Sequence, residues 1–185
     1  MGCALKMLNK NSEEQKTQIE KRFLILGLDG AGKTSILNRL VKKDTIETEP
    51  TIGLNIEQIT HKNYLVTFWD LGGAAAVLWK HYYNSTDAII FVVDSTDRDR
   101  IDLAREELVG AASDPELAEC PLLVLGNKKD KEGAMALDDL NIMLEFDKIP
   151  TKQKFLELCS AKENQGIFEG LEKVVDVLIK KSPGS

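Results

Sequence analysis

A chain of 185 residues can bury one full α/β core but is short for two. Its formal net charge of −6 argues against nucleic acid as the main partner. Cys3, Cys120 and Cys159 lack framework spacing, no apolar run nears the ~20 residues of a spanning helix, and no secretory leader is evident, so a reduced cytoplasmic setting fits.

Met1-Gly2-Cys3 opens the chain with a glycine that Met removal would expose for N-myristoylation, beside a cysteine suited to S-palmitoylation. Lys6 stands where the acylation motif prefers Ser or Thr, and an unmodified, frayed terminus is the alternative. One myristoyl chain holds a membrane only marginally, so stable anchoring would need Cys3 as well. Leu5, Met7 and Leu8 add a small apolar face, with Lys6 and Lys10 placed for anionic headgroups. Residues 9–20 are polar and read as a linker or solvated arm. The expected division is a membrane-interacting or linker segment over 1–20 and a folded domain over 21–181.

Phe23-Leu24-Ile25-Leu26 reads as a buried strand, and Ile36, Leu37, Leu40 and Val41 are spaced for one helix face. Between them Gly27-Leu28-Asp29-Gly30-Ala31-Gly32-Lys33-Thr34 fills the G-x-x-x-x-G-K-[ST] pattern, followed by Ser35. In that setting the backbone N–H groups from Asp29 to Ser35 turn around phosphate oxygens at a helix N-terminus. Lys33 would reach the β- and γ-phosphates, and the Thr34 hydroxyl would ligate Mg²⁺. Pro50-Thr51-Ile52-Gly53 ends a polar loop from which Thr51 would meet Mg²⁺ and the γ-phosphate. Residues 54–60 and 64–70 read as a hairpin joined at His61-Lys62-Asn63. It ends in Trp69-Asp70-Leu71-Gly72-Gly73, where Asp70 would hold Mg²⁺ through water and the Gly73 N–H would meet the γ-phosphate. Contacts of this kind exist only with a triphosphate, which is the signature of a switch.

Further strands are expected over 87–93, 121–125 and 155–158, and helices over 98–112, 137–146 and 166–180. This alternation predicts an α/β fold, a mostly parallel sheet of about six strands with helices on both faces. Ligands on such sheets sit at the carboxyl ends of the strands, where the remaining motifs fall. Asn127-Lys128-Lys129-Asp130 follows one strand, and Asp130 would accept from the N1–H and N2–H₂ edge of guanine. Adenine lacks that donor pair and would leave the carboxylate unpaired. Cys159-Ser160-Ala161-Lys162 ends the next strand, with a backbone N–H at Ser160 and Ala161 for the guanine O6. GTP and GDP with Mg²⁺ are therefore the expected ligands. A P-loop kinase or ATPase is the competing enzyme class, and N-K-K-D speaks against it. His61, His81 and the charge run Asp97-Arg98-Asp99-Arg100 read as solvated surface.

Together GLDGAGKTSIL at 27–37, PTIGLNIE at 50–57, WDLGG at 69–73, the segment 78–100 and NKKD at 127–130 resemble the Arf/Arl (ADP-ribosylation-factor-like) small GTPases. The likeness runs from about residue 21 to residue 180. Asp29 in the phosphate loop and W-D-x-G-G point to this family rather than to Ras- or Rab-like ones. The resemblance implies a switch in membrane traffic, reversibly bound to the Golgi or another endomembrane. It also implies an exchange factor, an activating protein and effectors bound through the switch regions as a monomer, with no nucleic-acid partner. A hairpin that slides in register with GTP and expels the N-terminal segment belongs to the same implication. Leu54, Trp69, Leu78, Trp79 and Tyr82 are candidates for the recognition surface or for the core.

One departure stands out. Members usually carry Gln after the G-G pair to orient the attacking water, and here Ala74 is followed by Ala75, Ala76 and Val77. The stretch between Gly73 and Trp79 is also two residues shorter than is usual, and the Arg common there is absent. Lys33, Thr51 and Gly73 remain as the candidate catalytic groups. Very slow intrinsic hydrolysis follows, with three alternatives: a pseudo-GTPase scaffold that binds GTP without turnover, a partner supplying the missing group, or a stretch altered from its native form.

Overall fold

Continuous apolar runs determine the centre of the molecule. Residues 23–26, 88–93 and 122–125 are all buried, as strands covered on both faces must be. The computed structural model describes residues 19–42 and 53–181, with backbone only at 73–77 and 181. Six strands, β1 (Ile19–Leu26), β2 (Leu54–His61), β3 (Tyr64–Leu71), β4 (Ala88–Asp94), β5 (Leu122–Asn127) and β6 (Lys154–Leu158), form one sheet in the order β2-β3-β1-β4-β5-β6. All neighbours are parallel except the β2–β3 hairpin at one edge. The expected fold class is the observed one. β1 begins earlier than its apolar run, within the segment read as an arm, because Ile19 and Glu20 pair with Tyr64 and Leu65 of β3.

The pleat sorts the core into two layers. Leu24, Ile89, Phe91, Leu122 and Val124 point to one face, covered by α2 (Ile101–Ala112) and α3 (Leu137–Met143). Phe23, Ile25, Ile90, Leu123 and Leu125 point to the other, covered by α1 (Lys33–Leu40) and α4 (Ile167–Lys181). Ile167, Leu171, Val174, Val175 and Leu178 make the buried stripe of α4 at helical spacing. Two helix boundaries differ from expectation. The segment from 98 starts as a 3-10 turn, Arg98–Arg100, before α2. The helix expected over 137–146 stops at Met143; Glu145, at φ 49, takes a left-handed turn and a second 3-10 turn follows.

His61 departs from its reading as plain surface. Its Nε2 lies 2.8 Å from Glu172 Oε1, and Lys62 Nζ lies 2.6 Å from Glu172 Oε2 and 2.9 Å from Asp176 Oδ1. The hairpin tip is thereby held against α4. Each pair is solvated and contributes little energy, so the network orients the hairpin more than it stabilises the fold.

Among the recognition-surface candidates, Trp79 belongs to the core. It is 1% exposed, within the 3-10 helix Gly73–Tyr82, and meets Phe91 edge-on at 6.2 Å. Trp69 and Tyr82 stay half-buried 6.0 Å apart, with the Arg22 guanidinium over Trp69 at 3.6 Å. Leu78 is exposed. Phe91→Ala would remove the ring that joins Trp79 to the sheet, at a cost of about 3–5 kcal/mol. Urea unfolding should show a lower midpoint with an unchanged slope.

Candidate functional site

The phosphate-loop segment leaves β1 through a glycine that nothing else can replace. Gly27 has φ 137, and a Cβ there would lie 2.2 Å from Val92 O of β4. Gly32, at φ 94, caps α1, and a Cβ on it would lie 2.4 Å from Asn127 Nδ2. Five successive carbonyls of the loop are claimed by side-chain donors. Lys33 Nζ donates to Gly27 O at 2.8 Å and Leu28 O at 3.0 Å. Arg100 Nη2 donates to Asp29 O at 3.3 Å, Lys128 Nζ to Gly30 O at 2.7 Å, and Asn127 Nδ2 to Ala31 O at 2.9 Å. Drawing the carbonyls to these donors frees the opposite side of the loop for amides, the polarity an anion needs.

Lys33 is 6% exposed. Burial pushes its ammonium pKa down, while the nearby carboxylates of Asp70 and Asp29 push it up. A buried cation in this position is favourably completed by an anion. Thr34 and Ser35 follow in the first turn of α1. The Thr34 hydroxyl donates to Asp70 Oδ2 at 2.6 Å, and Asp70, near the end of β3, is fully buried. Thr34 and Asp70 thus bring a hydroxyl and a carboxylate together, hard oxygens of the kind Mg²⁺ takes beside phosphates and water. The residues present fit that ion.

Asn127 ends β5 and is 2% exposed. Besides donating to Ala31 O, its Oδ1 accepts from Ala161 N at 3.0 Å and from Cys159 Sγ at 3.7 Å. Ser95 Oγ donates to Asn127 O at 2.6 Å, which ties in the end of β4. Lys128, at φ 69, ion-pairs with Asp94 as well as capping Gly30 O. Burial pushes Asp94 up, yet its hydrogen bonds from Lys128 and Thr96 hold it below the usual carboxylate range. Ser160 Oγ donates to Asp130 Oδ1 at 2.6 Å and is the main influence holding Asp130 low. Asp130 is therefore an ionised acceptor at neutral pH, as a two-donor base edge requires.

Asp29, Gly30, Ala31, Gly32, Lys33, Thr34, Ser35, Asp70, Gly73, Asn127, Lys128, Asp130, Ser160 and Ala161 all lie at or just beyond the carboxyl ends of β1, β3, β5 and β6, or on the turns that follow. Gly73 begins the 3-10 helix next to Gly72, whose N–H donates to Gly53 O at 3.0 Å. Thr51, Gly2 and Cys3 lie outside the described residues.

Three contributors escaped the sequence reading. Arg100 belongs to a charge run that reads as solvated surface; in the fold Asp97 caps its N–H at 3.2 Å, and its guanidinium reaches Asp29 Oδ1 at 3.0 Å. Arg39 of α1 donates to Ala161 O at 2.7 Å and Lys162 O at 2.8 Å, bracing the S-A-K turn. Asp94 supports Lys128. Only Asp94 carried a signal, its place at the carboxyl end of a strand; partners of Arg39 and Arg100 lie 122 and 71 residues away.

A solved structure supports the class. The Arl6 BBS3 small GTPase from Trypanosoma brucei, with bound nucleotide analogue GppNp, matches at TM-score 0.81 and 26% identity, covering 88% of this chain and 99% of that one. The fold and motifs define a small GTPase of the molecular-switch type. The family model of the ADP-ribosylation factor family matches residues 5–178, and the chain belongs to that family. ADP-ribosylation factor K of Dictyostelium discoideum is 43% identical over 164 residues, 88% of this chain and 87% of that protein. ADP-ribosylation factor-like protein 1 of Saccharomyces cerevisiae is 43% identical over 161 residues, covering 86% and 88% respectively. Proteins of this family bind and hydrolyse GTP.

Asn127→Ala would leave Ala31 O and Ala161 N without their buried partner. Two such losses at about 1–3 kcal/mol each predict a fall of at least ~30-fold in guanine-nucleotide affinity, measured by fluorescent-nucleotide titration. Cys159 is fully buried, and burial pushes its thiol up to about 12. At pH 8 the native thiol should resist iodoacetamide by orders of magnitude relative to the urea-unfolded chain, as peptide mapping would read.

Proposed function

We propose that this chain is a GTP/GDP switch with Mg²⁺ as its metal, slow to turn itself off, that works at a membrane surface. The observation that carries the reading is the convergence on Asn127 of the phosphate loop, the N-K-K-D turn and the S-A-K turn. Lys33 and the loop amides from Asp29 to Ser35 hold the phosphates. Thr34, Thr51 and Asp70 serve the metal, whose chemistry is to neutralise charge developing on the phosphates. Asp130 takes the guanine edge, Lys128 packs beside the base while bracing the loop, and Ser160 and Ala161 close over O6. Gly73 and Thr51 sense the γ-phosphate.

Membrane traffic is typical of the family, and in this proposal the chain acts there, reversibly bound to Golgi or other endomembranes. Gly2 and Cys3 would carry the lipids that hold it. It acts as a monomer whose switch regions meet an exchange factor, an activating protein and effectors. Trp69, Tyr82 and the exposed Leu78 supply apolar surface for those partners.

Ala74 supports the slow-hydrolysis part of the proposal, because a methyl group can neither donate to nor accept from water. It equally favours a scaffold that holds GTP without turnover. Single-turnover hydrolysis of GTP-loaded protein separates the two, followed as bound GTP and GDP over time. A half-life of many hours is expected, with Ala74→Gln faster by roughly 10²–10³. Release of phosphate within minutes by the unaltered chain would overturn the role given to Ala74. No acceleration by Ala74→Gln or by any activating partner would favour the scaffold.

A further inference from the structure

Arg100 is the cation over the phosphate loop that no motif assigns. Its Nε donates to Asp97 Oδ2 at 2.7 Å, its Nη1 to Asp29 Oδ1 at 3.0 Å and its Nη2 to Asp29 O at 3.3 Å. Its guanidinium therefore binds both the backbone and the side chain of the loop's third residue. The crevice beneath is lined by Leu28, Asp29, Ala31, Asp94, Asp97 and Arg100. Asp97 is itself fixed, since its N–H donates to Asp94 O at 3.2 Å and it caps the Arg100 N–H. A planar fork anchored on one carboxylate and directed at another is a preorganised device.

Asp29 needs such a device. A carboxylate within a loop built to surround phosphates opposes the ligand's charge, and Asp29 is close enough to Lys33 to influence that ammonium electrostatically. Any anion Lys33 attracts is exposed to the same negative field. The opposition grows with ligand charge, so it weighs more on a triphosphate than on a diphosphate.

We propose that Arg100 is a specificity-determining residue that acts through Asp29, screening its carboxylate and so setting the affinity of the site for GTP relative to GDP. This rests on the nucleotide-binding function proposed above. Arg100 touches neither metal nor base in this reading; it works by holding and neutralising one loop anion.

The test is the ratio of affinities for a non-hydrolysable GTP analogue and for GDP, measured on the full chain with Mg²⁺ by competition against a fluorescent guanine nucleotide. Arg100→Gln should lower the GTP-to-GDP ratio by about three- to tenfold, because it exposes the Asp29 charge. Adding Asp29→Asn should bring the ratio back to that of the unaltered chain or above it, and Arg100→Lys should lose less than Arg100→Gln. The loss should also shrink as salt is raised from about 0.05 to 0.5 M, since Asp29 is solvated. An equal weakening of both nucleotides, with no rescue by Asp29→Asn, would overturn the proposal and leave Arg100 a structural brace. Should Arg100→Gln fail to fold, Arg100→Lys replaces it: a lowered ratio that Asp29→Asn restores supports the screening role, and an unchanged ratio overturns it. Failure of the unaltered chain to bind either nucleotide would instead refute the nucleotide-binding reading itself.

Discussion

The site depends on one buried amide. Asn127 donates to the carbonyl of Ala31 and accepts from the N–H of Ala161, joining segments 96 and 34 residues away in sequence. A short amide offers a donor and an acceptor at fixed separation without carrying charge, which an ionised Asp or a Leu cannot do. Because Asn127 ends the buried strand β5, paired with β4 and β6, the core that holds β5 also holds the phosphate loop and the base turns in one frame. Binding energy is then not spent on ordering these loops against each other.

Around this amide, charge is arranged in alternating shells. Lys33, Lys128 and Arg100 each reach a loop carbonyl, and Asp70, Asp94, Asp97 and Asp29 stand behind or beside them. The cations meet the carbonyl dipoles, and the carboxylates offset the cations' charge in a partly desolvated place. A chain of net charge −6 can thus present a local anion site. Its overall sign says nothing of the field at the phosphate loop, because interactions beyond a Debye length are screened.

The hairpin edge is organised differently. β3 reaches the site with Asp70, while the opposite end of the hairpin is tied to α4 through Lys62, Glu172 and Asp176. The register of β3 against β1, Ile19 with Tyr64 through Ile25 with Asp70, determines where that carboxylate stands. Trp79, buried behind it against Phe91, anchors the end of the 3-10 helix that follows Gly73.

Most of the fold was legible because its signals are local. Buried parallel strands need unbroken apolar runs, and the phosphate loop needs glycines at Gly27, where the Val92 carbonyl leaves no room for a Cβ, and at Gly32, where φ is positive and the Asn127 amide stands close. N-K-K-D and S-A-K are likewise contiguous, so the phosphate and base sites could be expected from the chain order. The tertiary structure alone decided which distant side chains complete them. Arg100 reads as part of a solvated charge run and Arg39 carries no signal until packing brings them to the loops, and Trp79 stays open between recognition surface and core until Phe91 is placed against it. Pattern and turn chemistry act over a few residues, whereas an ion pair or ring contact is a property of two segments whose separation only the folded sheet determines.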